Sequence, residues 1–314
     1  MDLNPLAVAV ALAKLQDVSA RALRYRLIEM AQSFRDDGQA DDAPESLRII
    51  FHQRTLAQLC YLRDVLDPEI PEDVFLQGAV LGIMHGKFRK NGDTAYLSID
   101  MPNTFSMSPG HVRGVVRKNR LSRPSIDVCG KLQDRIQWLL RKGPAPGTTR
   151  AQVIKGDATR MPDVLADARI RTIGAIVTSP PCLGILRYGA FNWIRLWFLG
   201  VTANQIDAQL DGTDSIDGYL SFVLNFLNAA GDVLRPGAPV ILVVGDVVEN
   251  GQRVRLARRV WQEVGDLVPF ALERIELDGY DSASKATRIW GSEKMGRATP
   301  ADRIMALRRI PKRT

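Results

Sequence analysis

Beyond residue 150 the chain alternates two patterns. RAQVIKGDA, IGAIVTSPP, APVILVVGDV, ALERIELDG and DRIMALRRI are short apolar runs ending in turn-forming residues. Helical patterns such as IDGYLSFVLNFLNAAGDVL and QRVRLARRVWQEV lie between several of them. Runs of this kind, bounded by Gly, Pro, Asp or Asn, read as strands. Strands alternating with helices constrain the fold strongly: an α/β domain on a largely parallel sheet. The boundary in front of it is KGPAPGTT, where Gly and Pro break any regular element, so the α/β core is expected over 146–314.

The first half reads as helices. Asn4-Pro5 has the form of a helix start, with Asn as cap and Pro in the first turn of AVAVALAKL. SARALRYRLIEMAQSF follows. After the acidic linker DDGQADDAPE, the apolar spacing in SLRIIFHQRTLAQLCYLRDVL, DVFLQGAVLGIMHG and LQDRIQWLLRK favours helices again. YLSIDMPNTFSMSPGHV is polar and turn-rich. Residues 20–145 are therefore a helical insertion, with 1–20 assigned to the start of the core.

Charge separates along the chain. Positions 111–150 carry ten Lys or Arg against two acids, and 281–314 nine against three. The net charge of +7 thus hides two basic segments and an acidic remainder. That segregation suits a polyanion such as DNA, although a solvated basic face has the same composition. No apolar run approaches the roughly 20 residues that span a bilayer, and the start lacks the basic region of a signal peptide. A cytoplasmic protein without membrane contact is expected. Cys60, Cys129 and Cys182 are widely spaced and match no ligand pattern, so reduced thiols and no metal site are expected. His52, His85 and His111 stand alone, without a paired carboxylate, and read as structural.

In open α/β sheets ligands bind beyond the carboxyl ends of strands. The residues there are Asp157 after VIKG, Ser179-Pro180-Pro181-Cys182 after AIVT, and Gly245-Asp246 after VILVV. Proline fixes φ and carries no N–H, so Ser-Pro-Pro presents carbonyl oxygens and one hydroxyl as a rigid row of acceptors. Such a row fits an amine donor, for instance the exocyclic amino group of cytosine or adenine. Two other readings stay open: Pro-Pro is also an ordinary turn, and Asp157 also suits the cap of the next helix.

TSPPC resembles the Ser-Pro-Pro-Tyr signature of amino-directed, site-specific DNA methyltransferases of bacteria and phages, the enzymes of restriction–modification. FHQRTLAQL, YLSIDMPNTFSMSP, VIKGDA, NWIRLWFLG, LRPGAPVILVVGDV and TRIWGSEKMGRATPADRIMAL are similar to further stretches of that group. The resemblance covers nearly the whole chain. It implies a Rossmann-like methyltransferase sheet, S-adenosylmethionine as cofactor and double-stranded DNA as partner, with the target base flipped into a pocket. The Ser form implies cytosine-N4; adenine-N6 is the alternative. Carried over, Ser179, Pro180 and Pro181 hold the target amino group, and Cys182 completes the catalytic set at the fourth position of the motif. Asp2, Asn4, Asp157 and Thr178 bind cofactor. Asn103, Tyr188, Asn192, Trp193, Lys294 and Arg297 face substrate or DNA, and the helical insertion is a candidate for target recognition.

Two departures stand out. Cys182 replaces the tyrosine that stacks on the flipped base, with Tyr188, Phe191 or Trp193 as replacement rings. The glycine-rich cofactor turn is missing, since no Gly-x-Gly occurs in the sequence. MDLNPLAVAVALAKL resembles the segment following the family's second strand, which makes Asp2 the ribose ligand and leaves the first two strands unaccounted for. They come from an upstream chain, from an upstream start, or the protein is an inactive remnant that binds DNA. On position alone the reading favoured for Asp2 is a frayed, charged terminus without a role. Pro181-Cys182 also resembles the nucleophile dipeptide of cytosine-C5 methyltransferases.

Overall fold

The computed structural model describes residues 1–102, 106–141, 151–181, 183, 187–210, 215–249, 251–279 and 298–311, the side chains of 210, 279 and 298–300 excepted. The chain is α/β and divides into two compact units. One comprises Met1–Leu3, Ile154–Arg187 and Ala208–Thr314; the other comprises Asn4–Val153 and Tyr188–Asp207.

The second unit is helical. It contains α1 (Pro5–Leu15), α2 (Ala20–Ser33), α3 (Glu45–Ile50), α4 (Gln53–Val65), α5 (Pro71–Ile83), α6 (Pro109–Asn119) and α7 (Val128–Leu140). Its later segment adds α9 (Tyr188–Phe191), α10 (Trp193–Phe198) and the start of α11 (Ala203–Leu210). Asn4 caps α1 as expected, and Ser19 caps α2. Asn4 Oδ1 accepts from the Leu6 amide at 3.0 Å, and Ser19 Oγ from the Ala22 amide at 3.0 Å. Leu23, Leu27 and Met30 of α2 enter a core with Leu56, Leu59, Leu76, Val80, Leu132 and Ile136. Each fully buried side chain of this size contributes roughly 1.5 to 3 kcal/mol. Tyr188–Asp207 belongs to this unit although the chain reaches it only after the first sheet strand.

The sheet unit holds β1 (Ile176–Thr178), β2 (Pro239–Glu249), β3 (Gln252–Val254), β4 (Phe270–Gly279) and β5 (Ala298–Arg309). Its helices are α8 (Met161–Asp167), α12 (Ile216–Val233) and α13 (Leu256–Val264). Strand order is β1-β2-β5-β4, with β3 paired to the far end of β2. The sheet is not largely parallel. Among the described strand pairs β1–β2 is parallel, whereas β2–β5, β4–β5 and β2–β3 are antiparallel. The reason is long-range: β5 inserts between β2 and β4, which no local pattern announces.

RAQVIKGDA also differs from expectation, since it forms no strand of this sheet. Its backbone makes an isolated parallel bridge, Lys155 with Asp2. The Asp2 amide donates to Ile154 O and the Gly156 amide to Asp2 O, both at 3.1 Å. Only glycine fits at 156, because a Cβ there would stand 2.7 Å from a Val164 methyl and 3.4 Å from Met1 Sδ.

β2 is central and alternates. Val240, Leu242 and Val244 are buried and share a core with Phe226, Leu227 and Ala230 of α12 and Ala257 and Val260 of α13. Ile241 and Val243, pointing to the other face, are half-buried. β1 lies at the end of the strand order, and its Val177, paired with Ile241 on that second face, is 74% exposed.

Candidate functional site

β1 delivers Ser179 to the end of the sheet. Proline at 180 and 181 stops the strand, because neither residue can donate to a ladder. Ser179 is exposed, Pro180 buried and Pro181 half-buried. The Ser179 hydroxyl donates to Val243 O of β2 at 3.1 Å. With its proton engaged inside the sheet, the hydroxyl turns lone pairs outward. Thr178 sits half-buried at the last paired position, opposite Leu242. Cys182 lies outside the described residues.

Beyond Val243 the end of β2 is braced by charge. Asp246 is 1% exposed and takes a two-pronged contact from Arg303 of β5, Nε to Oδ1 at 2.7 Å and a terminal nitrogen to Oδ2 at 2.9 Å. Arg253 of β3 adds a bond from Nε to Oδ2 at 3.1 Å. A buried carboxylate is tolerable only with such partners. On the adjacent position Asp302 faces Gly245, and burial, Asp278 and Asp246 together raise its carboxyl above the ordinary aspartate range. The sequence places Asp246 just after a strand, whereas β2 continues through it to Glu249 and buries it; Arg253 and Arg303 carry no sequence signal, because their pairing depends on strand register.

Asp157 and Asp2 meet through the bridge described above. Asp2, exposed, pairs through its backbone with Ile154 and Gly156, the residue before Asp157. Asp157 Oδ1 accepts from the amide and the hydroxyl of Thr159, both at 2.8 Å, capping the short helical turn Ala158–Arg160. The cap reading of Asp157 is thus realised, and it uses one carboxylate oxygen. Asn4, the α1 cap, belongs to the helical unit.

In the helical unit Tyr188, Asn192 and Trp193 form one local structure with Ser106 and Met107. Asn192 Nδ2 donates to Tyr188 O at 2.9 Å, and Trp193 Nε1 donates to Met107 O at 2.8 Å. The Ser106 amide donates to Phe191 O. Two stretches far apart in sequence are therefore tied together by one backbone bond and one from the Trp193 ring. Asn103 lies outside the described residues, as do Lys294 and Arg297.

His85 is fully buried and holds both flanks of residues 103–105. Its Nδ1 is 2.8 Å from Pro102 O and its Nε2 3.2 Å from Ser106 Oγ. A carbonyl only accepts, so Nδ1 carries the proton and Nε2 accepts from the serine hydroxyl. Burial, reinforced by the Arg195 guanidinium, lowers its pKa to about 3. No sequence signal marks it, because a lone histidine fits many roles. His52 Nδ1 accepts from the Arg54 amide at the start of α4, and His111 is exposed in the first turn of α6. Burial pushes the free thiols of Cys60 and Cys129 up to about 11, which leaves them protonated near neutral pH.

Among the described residues no group of three His, Cys, Asp or Glu is placed to hold a metal ion, and no helix is long and apolar enough to cross a membrane. A groove of about 770 Å³ between α2 and α7 contains none of the residues singled out from the sequence.

No protein-family model and no curated protein sequence matches the chain. Among solved structures, TTHA0409 of Thermus thermophilus, a candidate DNA modification methylase by name, matches in a selenomethionine form at 19% identity and TM-score 0.29, over 51% of this chain and 53% of that one. A second structure of that protein matches at 18% identity and TM-score 0.29 over 51% and 54%. A third, complexed with S-adenosyl-L-methionine, matches at 18% and TM-score 0.29 over 51% and 53%. This chain spans about half the length of these neighbours.

Proposed function

We propose that the chain is the greater part of an S-adenosylmethionine-dependent methyltransferase. Its substrate in this reading is double-stranded DNA, and the methyl acceptor is an exocyclic amino group, cytosine-N4 ahead of adenine-N6. The observation that carries the reading is the Ser179 hydroxyl bond to Val243 O. It makes Ser179 an outward acceptor beside two residues that have no N–H, a cluster suited to amine protons and to nothing anionic. Held by those protons, the amine lone pair points in a fixed direction, and positioning of this kind removes a large part of a transfer barrier.

The residues fit the adenosine end of the cofactor. Asp157 keeps one carboxylate oxygen outside its capping bonds for an adenine amine, and Asp2 stands on the adjoining segment for the ribose. When bound, S-adenosylmethionine supplies a methyl group activated by its sulfonium. For the methionine end the sequence offers no glycine-rich turn. That part of the site comes, in this reading, from a strand outside these 314 residues, on an upstream companion chain or a longer form of this one. In its support, β1 ends the strand order of the described residues, where a further strand can pair, and Val177 on its second face is 74% exposed, whereas parallel strands are ordinarily covered on both faces. Residues 20–145 take the role of target recognition, and Tyr188 and Trp193 that of rings near the base.

Transfer of tritiated methyl from S-adenosylmethionine to unmethylated duplex DNA tests the assignment. Transfer that survives Cys182→Ser supports amino methylation. Transfer abolished by Cys182→Ser overturns it in favour of a thiolate attack on carbon 5.

A further inference from the structure

Helix α6 carries a cationic face that is largely unpaired among the described residues. Between His111 and Ser125 the sequence holds Arg113, Arg117, Lys118, Arg120 and Arg123 and no carboxylate, and all five cations are exposed. Arg113 makes a solvent-exposed contact with Glu45 at 3.2 Å, a kind that neutralises little. Arg123 donates to Arg48 O. Arg117, Lys118 and Arg120 make no ion pair among the described residues.

The geometry of the helix sharpens the point. Ser108 caps its start, Arg120 closes it in the left-handed conformation at φ 49°, and Val112 is its buried position. Residues three or four apart share a helical face. On the side opposite Val112 lie Gly110, Gly114 and Arg117, with Arg113 on one flank and Lys118 on the other. A Cβ added at Gly110 or Gly114 would meet nothing within 4 Å. Internal packing therefore does not account for either glycine, although glycine weakens a helix interior. Without side chains there, the helix can come close to an outside surface while the flanking cations reach past its centre.

We infer that α6 is a DNA-docking helix: its glycine face approaches the duplex, and Arg113, Arg117 and Lys118 contact phosphates on either side. Charge complementarity names the partner, since three exposed cations within about 8 Å of helix, with one exposed carboxylate beside them, match the dense phosphate charge of a duplex. The inference rests on the DNA reading above and adds where the duplex lies on the helical unit.

The test is equilibrium binding of the full chain to a short mixed-sequence duplex across a salt series of about 50 to 200 mM. Three proteins are compared: wild type, Arg117→Ala/Lys118→Ala, and Gly114→Gln. The double variant is expected to bind about tenfold more weakly, with a log–log salt slope smaller by about two. Gly114→Gln keeps every charge and raises the unfolding temperature, yet it weakens binding by obstructing approach; a merely structural glycine would not separate the two readouts. Variants that bind like wild type overturn the helix assignment and leave the DNA reading standing. A folded wild-type chain that binds no duplex at the lowest salt overturns both.

Discussion

The Ser179 hydroxyl donates to the carbonyl of Val243 at 3.1 Å, across the parallel pair β1–β2. This bond fixes both the position of the strand end and the polarity of its outer surface. A serine here presents oxygen lone pairs to solvent; a residue without the hydroxyl leaves the Val243 carbonyl facing outward alone. Replacing Ser179 by Ala should cost little stability, because the group is exposed and a typical hydrogen bond is worth about 1 kcal/mol net. Methyl transfer should fall by roughly a hundredfold, the usual cost of removing one preorganised polar contact at a reacting centre. Single-turnover transfer beside a denaturation curve distinguishes the two effects.

In the proposed reading Asp157 has two duties on two oxygens, the observed cap and an adenine contact, and asparagine separates them. Asp157→Asn keeps an Oδ1 to accept from Thr159, so unfolding should change by well under 1 kcal/mol, whereas alanine should cost about 1 kcal/mol through loss of the cap. The asparagine amide presents a donor where the carboxylate presented an acceptor. Affinity for S-adenosylhomocysteine, read by calorimetry, should drop about tenfold in both variants.

Stability should depend on pH through His85. Its folded pKa, about 3, is below the ordinary 6.5, chiefly from burial and then from Arg195, with Pro102 O opposing. In the unfolded chain the ring protonates below pH 6.5, while in the folded chain it stays neutral. Its contribution is thus complete above about pH 6.5 and is lost progressively as pH falls toward 3. Between about pH 7.5 and pH 5 the loss should be about 2 kcal/mol. Urea curves at the two pH values should show it in wild type, and His85→Asn should flatten that difference.

Asp246 binds two arginines while fully buried, so its removal strands their charge. Asp246→Ala should destabilise the sheet unit by about 3 to 5 kcal/mol. Arg253→Ala, whose side chain is half exposed and leaves Arg303 in place, should cost about 1 kcal/mol. Chemical denaturation of the two variants ranks them.

What the sequence disclosed was local. β2, β4 and β5 were legible as apolar runs between turn residues, and Asn4 and Ser179 were marked by their neighbours Pro5 and Pro180. The insertion of β5 between β2 and β4 was not legible, because pairing partners are chosen over some 60 residues of chain, as Val243 with Ile304 shows. For the same reason Arg303 could not be assigned to Asp246, nor His85 to Pro102 and Ser106. RAQVIKGDA has the composition of a strand yet gains only the bridge at Asp2, since strand propensity needs a partner edge to be expressed.

The central claim is amino methylation directed by Ser179. Nucleoside analysis of DNA from cells expressing the gene with its upstream flanking sequence, beside cells expressing Ser179→Ala, tests it most directly. The account predicts N4-methylcytosine in the first and a near-complete loss of it in the second. Methyl found on carbon 5 of cytosine, or no methylated base above the Ser179→Ala control, would contradict it.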